Sequence, residues 1–358
     1  MASLHSRRRR RRRDDYHYQQ MHPSDWQIFR VYLILVSTSL IGCYGLISYV
    51  ASTHRYNEAR LRELANINAT DIEYITEPQL VLRNNCLAEL CPSGKDVSWH
   101  LVIFVKSSAT HSLHREIIRR TWARWGFVDG GHFSTLFVIG GNEDPYASEI
   151  LKEEKRRYTD ILHYDGPDDY KNIAFKTLIG MRWAVENLPR NYYYASADDD
   201  FLVNIAKMQE TIDSYRDFMV KNGTNIFPII CMFDGRDKAK PFRDKISKWY
   251  ISMEEYRWPE YPKFCMGGMY VTSLAMVRDL WEISQLHRPM RVDDVWITGI
   301  LRKKLGVPAD FVTLLSDPVA HHYLGFKVKA DLTSQGTMMQ DEWTKLLALA
   351  ENKTVCTC

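Results

Sequence analysis

Three consecutive carboxylates, Asp198, Asp199 and Asp200, follow the apolar run Tyr192–Ala197, and Phe201-Leu-Val resumes the apolar pattern behind them. Acidic side chains beside a hydrophobic strand are costly unless a cation or hydrogen bonds satisfy them. Asp198 and Asp200 are two positions apart, so in extended backbone they point the same way. An all-oxygen set of this kind suits Mg²⁺ or Mn²⁺. Such an ion can bridge to phosphate oxygens and stabilise a departing diphosphate. A second acidic pair, Asp293-Asp294, lies in Arg291-Val-Asp-Asp-Val-Trp-Ile-Thr-Gly299. It opens a helix-like pattern, where a carboxylate caps free backbone amides.

Basic residues form a third group. In His114-Arg115-Glu-Ile-Ile-Arg119-Arg120-Thr121-Trp122, Arg115 and Arg119 lie one helical turn apart on one face. They are placed to meet a diphosphate or nucleotide. Lys176 is a weaker candidate of the same kind. In Tyr261-Pro-Lys-Phe-Cys265-Met-Gly267-Gly268-Met-Tyr270, adjacent glycines permit close backbone approach. The aromatics around them suit a sugar site or a core.

These groups need a scaffold. Leu101–Val105, Thr135–Ile139, Asp160–Leu162 and Tyr192–Ala195 are short apolar runs of strand length. Between them lie helix-length segments at Ser112–Arg124, Tyr146–Arg157 and Tyr170–Leu188. In the last, Ile173, Thr177, Gly180, Ala184 and Leu188 recur as one helix face requires, and Pro189 marks a stop. The alternation predicts an α/β fold with a mostly parallel central sheet covered by helices on both faces. Ligands then bind beyond the carboxyl ends of the strands, where the Asp198–Asp200 triplet sits. Further helices are expected at Ser273–Ser284 and Asp293–Leu305. The last 40 residues show no clear pattern.

The charge is unevenly placed. The net charge is +3, but residues 1–55 carry nine basic and three acidic groups, leaving 38 basic and 41 acidic for the rest. A mildly acidic body excludes a general nucleic-acid-binding surface. Arg7 to Arg13 is unbroken arginine, and Val31–Ala51 is 21 residues without a formal charge. As a helix it reaches roughly 30 Å, the thickness of a bilayer's hydrocarbon core. The arginines predict that the N-terminal side stays in the cytosol. The expected organisation is a cytoplasmic basic tail over 1–30, a single transmembrane signal anchor over 31–51, a polar lumenal stem over 52–95 and a lumenal domain over 96–358. A cleaved signal peptide fits less well, because both the charged and the apolar regions are too long for one. Asn68, Asn222 and Asn352 sit in glycosylation triplets. Cys86, Cys91, Cys231, Cys265, Cys356 and Cys358 lie outside the span, an even number compatible with disulfides whose pairing the sequence leaves open.

Taken together, the blocks resemble the beta-1,3-galactosyltransferase family, which includes beta-1,3-N-acetylglucosaminyltransferases. The similarity runs from about 99 to 315. It rests on Arg115-Glu-Ile-Ile-Arg119-Arg-Thr121-Trp122, then Phe137-Val-Ile-Gly140, then Asp165, Asp168, Tyr170, Asn172, Lys176 and Thr177. It continues through Asp198–Asp200, one acceptor-side block made of Lys248-Trp249-Tyr250 and Tyr261-Pro262 with Gly267-Gly268, and Asp293-Asp294-Val295 with Gly299. Six blocks in order are far more specific than any one of them. The resemblance implies the GT-A nucleotide-diphospho-sugar transferase fold, a UDP-sugar donor, a glycan acceptor on glycoprotein or glycolipid, usually Mn²⁺ (or Mg²⁺), and inversion at the anomeric carbon. It implies Golgi localisation as a single-pass type II membrane protein, catalytic domain in the lumen. Carried over, Asp198 and Asp200 hold the metal and Asp199 lies near the donor ribose or sugar. Arg115, Arg119 and Lys176 lie near the nucleotide. Asp294 is the catalytic base, with Asp293 second. The chain departs from the pattern at Ala174, at Ser196 and beyond Pro318, where His321 or His322 stands for a C-terminal metal-binding histidine.

Two other classes compete. A non-catalytic carbohydrate-binding or chaperone-like relative does not require both acidic clusters. A metal-dependent phosphoester hydrolase needs more His and Asp ligands for a two-metal site.

Overall fold

The computed structural model describes residues 69–78, 97–166, 168–322, 343–347 and 355–357. The expected tail (1–30), membrane span (31–51), most of the stem, Asn68 and Asn352 lie outside these residues. Among the described residues no helix is long and apolar enough to cross a membrane.

The strands in chain order are β1 (Tyr74–Thr76), β2 (Trp99–Lys106), β3 (Trp125–Val128), β4 (Gly131–Ile139), β5 (Ile161–Tyr164), β6 (Tyr193–Asp198) and β7 (Phe201–Val203). There follow β8 (Ile229–Cys231), β9 (Gly235–Arg236), β10 (Phe264–Cys265), β11 (Met269–Ser273), β12 (Val312–Leu314), β13 (Ala320–His322) and β14 (Val355–Thr357). Ten of them form one mixed sheet with the path β1-β5-β4-β2-β6-β11-β8-β12, with β3 pairing with β4 and β14 pairing in turn with β3. The centre, β5-β4-β2-β6, is parallel as expected. Beyond it β11 runs antiparallel to both β6 and β8, so the sheet is mainly rather than wholly parallel.

Alternation along β2 divides the core. Val102 and Phe104 pack on one face, and Leu101, Ile103 and Val105 on the other. The first face is covered by α3 (Ile173–Asn187) and α5 (Leu274–Ser284), through residues such as Phe175, Leu178, Val277 and Leu280. The second is covered by α1 (Ser112–Arg120), α2 (Pro145–Arg157) and α4 (Ile205–Asn222), through Ile118, Leu151 and Ile212. A strand buried on both faces explains the unbroken apolar run in its sequence.

Local signals account for most boundaries. Asp144 caps α2 by accepting from the amides of Tyr146 and Ala147, and Pro145 occupies the first turn. The helix expected to run to Arg124 stops at Arg120. Thr121 Oγ1 turns back to the Ile117 carbonyl at 2.7 Å, and a 3₁₀ turn over Trp122–Arg124 follows. That turn buries Trp122, whose indole donates to the Phe201 carbonyl at 3.0 Å. The helix expected over Asp293–Leu305 runs from Asp293 to Lys304, with its middle, Val295–Leu301, widened into a π-helix before the last α turn. Thr298 Oγ1 donates to the Asp294 carbonyl at 2.6 Å and accepts from the Cys265 amide at 3.0 Å. Wider turns of this kind gather at functional positions.

One boundary needs correction. Residues 69–78 fall within the stem expected over 52–95, yet β1 pairs with the edge strand β5. Ala69 and Ile72 are buried in the core, and Arg182 holds the Ile72 carbonyl at 2.8 Å. Composition alone missed this because an edge strand of three residues carries too few apolar groups to stand out.

Candidate active site

The parallel register of β2 and β6 sets Lys106 directly opposite Asp198. The Lys106 ammonium lies 2.9 Å from Asp198 Oδ1 and 2.9 Å from Asp293 Oδ2. It therefore joins the two acidic clusters. Thr177 Oγ1, from α3, adds a hydrogen bond to the same Asp293 oxygen at 2.6 Å. Burial pushes the Asp293 carboxyl up, but Lys106 and Thr177 outweigh it and hold the group below the usual carboxylate range. Asp293 is thus fixed as an anion.

Asp294 has different surroundings. Its Oδ1 accepts from the Val295 amide at 2.7 Å and its Oδ2 from the Gly267 amide at 2.5 Å. Burial, followed by the neighbouring charge of Asp293, pushes its carboxyl up to about 7. A carboxylate with that affinity is suited to taking a proton near neutral pH. A methyl group placed on Gly267 would lie 3.4 Å from Asp294 Oδ2 and 3.8 Å from Asp198 Oδ2. Both carboxylates therefore approach one face of that glycine. The disulfide Cys231–Cys265 ties β8 to the strand that leads into Gly267.

The three aspartates of the triplet have three sets of partners. Asp198 is paired with Lys106, and burial pushes its carboxyl up to about 6 against that pairing. Asp199 is buried and accepts from Ser107 Oγ at 2.7 Å, with His111 Nδ1 at 2.9 Å. Asp200 Oδ2 lies 2.8 Å from His322 Nε2, while its Oδ1 is buried with no hydrogen-bond partner. Strand β13 pairs His322 with Phe201 of β7, which brings the imidazole to Asp200 from the diverged end of the chain. One carboxylate oxygen without a hydrogen-bond partner and one facing an imidazole fit a small divalent cation. Asp200 and His322 are therefore compatible with that ion, while one oxygen of Asp198 faces Lys106.

The three expected nucleotide-binding cations are placed otherwise. Arg115 has no exposed surface. Its guanidinium meets Glu154 through two hydrogen bonds, at 2.8 and 2.6 Å, and donates to Ser107 Oγ at 2.9 Å. Arg119 is paired with Glu154 at 2.6 Å and Asp160 at 2.7 Å and stacks on Tyr158. Lys176 is paired with Asp168 and donates to the Ser107 carbonyl. The Arg115 donors are all turned inward by Glu154 and the 107–109 turn, so any role beside a nucleotide is carried through the residues it holds. Arg115 positions Ser107, and Ser107 positions Asp199.

Residues not foreseen complete the site. Lys106, Ser107, His111 and Glu154 were not singled out in the sequence. A lysine ending the run Leu101–Val105 is the one available signal, since a charge closing an apolar strand faces the ligand side of a parallel sheet. On the other flank, the half-exposed rings of Tyr170 and Trp249 meet the Lys248 ammonium at 5.4 and 4.6 Å. Exposed rings beside a polar cleft suit the apolar face of a sugar.

The sequence matches the family model described as Galactosyltransferase over residues 113–312. The chain belongs to the galactosyltransferase family. Among relatives, it is 32% identical over 208 residues to "Beta-1,3-galactosyltransferase brn" of Drosophila melanogaster, covering 58% of this chain and 61% of that protein. It is 32% identical over 254 residues to "Lactosylceramide 1,3-N-acetyl-beta-D-glucosaminyltransferase" of Homo sapiens, covering 68% and 65%. The chain thus spans slightly under two thirds of these relatives' length. A rat protein of the latter name is 26% identical over 89% of this chain and 85% of its own length. Among solved structures, a WbbM bifunctional glycosyltransferase aligns over 70% of this chain and 52% of its own, at 11% identity and TM-score 0.35. That overlap is too loose to bear on the fold. The matched range includes Asp198, Gly267, Asp293 and Asp294.

Proposed function

We propose that this chain is an inverting, UDP-sugar-dependent beta-1,3-glycosyltransferase of GT-A architecture. It moves galactose or an N-acetylhexosamine onto a hydroxyl, the 3-OH, of a glycan carried by protein or lipid. The observation that carries the reading is Asp294: a half-buried carboxyl, pushed up to about 7, beside Asp198 across Gly267. Family membership and the relatives' names support the reaction class.

In this mechanism Asp294 accepts the proton of the acceptor hydroxyl as its oxygen attacks the anomeric carbon from the side opposite UDP. The Gly267 and Val295 amides hold the carboxylate in place. Asp293, kept ionised by Lys106 and Thr177, raises the basicity of Asp294 and stabilises positive charge on the donor ring. Fixing both sugars in line supplies much of the acceleration. Asp200, Asp198 and His322 would hold Mn²⁺ or Mg²⁺, which neutralises charge on the departing UDP when bound. Asp199 and Lys176 lie at the donor side. Residues 1–30 are read as a cytoplasmic tail and 31–51 as a signal anchor, placing the body in the Golgi lumen.

The test is a panel of UDP-galactose, UDP-N-acetylglucosamine and UDP-N-acetylgalactosamine with Mn²⁺ and glycan acceptors, read by mass spectrometry and by the anomeric coupling of the product. One donor is expected to give a β-linked product, lost in Asp294→Asn. Glycan binding without transfer from any donor overturns the reading in favour of a non-catalytic relative.

A further inference from the structure

The triplet's middle carboxylate has surroundings unlike the other two. His111 and His114 stand three positions apart at the start of α1, on one helical face, with ring centroids 4.5 Å apart. Both turn Nδ1 toward Asp199. His111 Nδ1 lies 2.9 Å from Oδ2 and His114 Nδ1 lies 3.6 Å from Oδ1. The three potential ligand atoms all lie within 4.8 Å of one another. The His114 nitrogen is buried and has no hydrogen-bond partner. A separation of 3.6 Å is too long for a hydrogen bond. It is close to the distance between two ligands of one tetrahedral ion with bonds of about 2.0–2.1 Å.

We propose that His111, His114 and Asp199 form a second cation site, distinct from the Asp200–His322 pair, that takes Zn²⁺. The donor set decides the ion. Two imidazoles and one carboxylate favour zinc over the hard Mg²⁺ or Mn²⁺, and three protein ligands leave a fourth position for water or an oxygen ligand. The surrounding charge permits it. Arg115 and Lys176 are the nearby cations, and their charges are met by Glu154 and Asp168. Access is available, since the His111 side chain is 44% exposed. Ser107 Oγ, donating to Asp199 at 2.7 Å, orients the carboxylate from behind, and Arg115 in turn supports Ser107. Bound zinc would fasten the start of α1 to the turn after β6 that carries Asp199 and Asp200. The site needs no sugar transfer, so it stands or falls independently of the catalytic reading.

The experiment uses the full chain, stripped with chelator and titrated with Zn²⁺ against a chromogenic competitor, with metal content measured after gel filtration. One zinc per chain is expected. Asp200→Ala/His322→Ala should retain it, and His111→Gln/His114→Gln should lose at least about tenfold in affinity. Circular dichroism checks that the variants fold. Should the histidine variants fail to fold, Co²⁺ substitution of the unaltered chain decides: intense visible d–d bands of a four-coordinate site are expected. Absence of zinc after gel filtration overturns the proposal. So does zinc that survives loss of both histidines, zinc lost only with Asp200 and His322, or a cobalt spectrum of six oxygen ligands.

Discussion

Asp198 and Asp293 share one ammonium: Lys106 Nζ is 2.9 Å from a carboxylate oxygen of each. Asp293 is buried and the Asp198 side chain is 30% exposed, and Lys106 is itself buried. Its loss would leave two carboxylates without their cation, and breaking a buried pair costs about 3–5 kcal/mol. Lys106→Met is therefore expected to lower unfolding free energy by roughly that amount. Lys106→Arg, which keeps the charge, should recover part of it. Urea denaturation of the three proteins measures both. Equal stability of Lys106→Met and the unaltered chain would show that the ammonium does not hold the two clusters together.

Asp294 links activity and stability to pH in opposite directions. Burial, then the charge of Asp293, raises its carboxyl from the ordinary 3.8 to about 7. A base acts as the carboxylate, so kcat/KM should rise with pH through about 7 and then level off. The folded protein keeps the Asp294 proton where the unfolded chain has released it. The stabilising contribution is full below the ordinary value and is lost as pH rises through about 7. Asp294→Asn cannot ionise. Its transfer rate should fall by about 10²-fold or more. Its stability relative to the unaltered chain should improve between pH 5 and pH 8 in metal-free buffer. Denaturant titrations at the two pH values, beside a pH–rate profile, check both trends.

How far the sequence speaks for the site depends on where each signal lies. The β2, β4, β5 and β6 runs were legible because strands covered on both faces must be apolar throughout, as β2 and the buried end of β4 are. Asp198 was legible because charge beside such a run needs a partner. The partner itself was not, since Lys106 meets Asp293 only through the sheet's strand order and the packing of α3. His322 was one of two candidates until β13 paired with β7 and set it opposite Phe201. The ion-pair partners of Arg115 and Arg119 were not legible for a related reason. Helical spacing shows which residues share a face but not what covers it, and here α2 brings Glu154 across. Edge strand β1 and the break after Arg120 depended on tertiary contacts, which local periodicity does not carry.

Glu154 neutralises two guanidinium groups at once, Arg115 with no exposed surface and Arg119 nearly buried. Burial pushes the Glu154 carboxyl up, yet the two arginines outweigh it and hold it below its ordinary value. Glu154→Gln keeps the shape and removes the charge. It should destabilise by about 3 kcal/mol or more, since it leaves buried cations short of an anion. The double variant Arg115→Met/Glu154→Leu should be less damaged than the two single losses added together. Thermal and denaturant unfolding of the unaltered chain, Arg115→Met, Glu154→Leu and the double variant closes the cycle. Strict additivity would mean that the pair does not act as a unit.

Two adjacent glycines should respond differently to the same added methyl. Gly268 has φ +120°, and a Cβ there would sit 2.5 Å from the Phe201 ring. Its carbonyl also accepts from the Asp198 amide at 2.9 Å, so any shift moves the triplet. Gly268→Ala therefore combines an unfavourable backbone conformation with a clash, each of order 1–3 kcal/mol. It should lower both stability and activity. At Gly267 the atoms nearest the added carbon belong to the carboxylates of Asp294, at 3.4 Å, and Asp198, at 3.8 Å. Gly267→Ala should leave the fold within about 1 kcal/mol of the unaltered chain, because nothing in the core moves. It would place apolar volume between Asp294 and Asp198, where the acceptor hydroxyl must enter, and kcat/KM should fall at least about tenfold. Circular dichroism melts and steady-state kinetics on both variants separate the two effects. A Gly267→Ala protein with full activity would remove that face of the glycine from the reaction path.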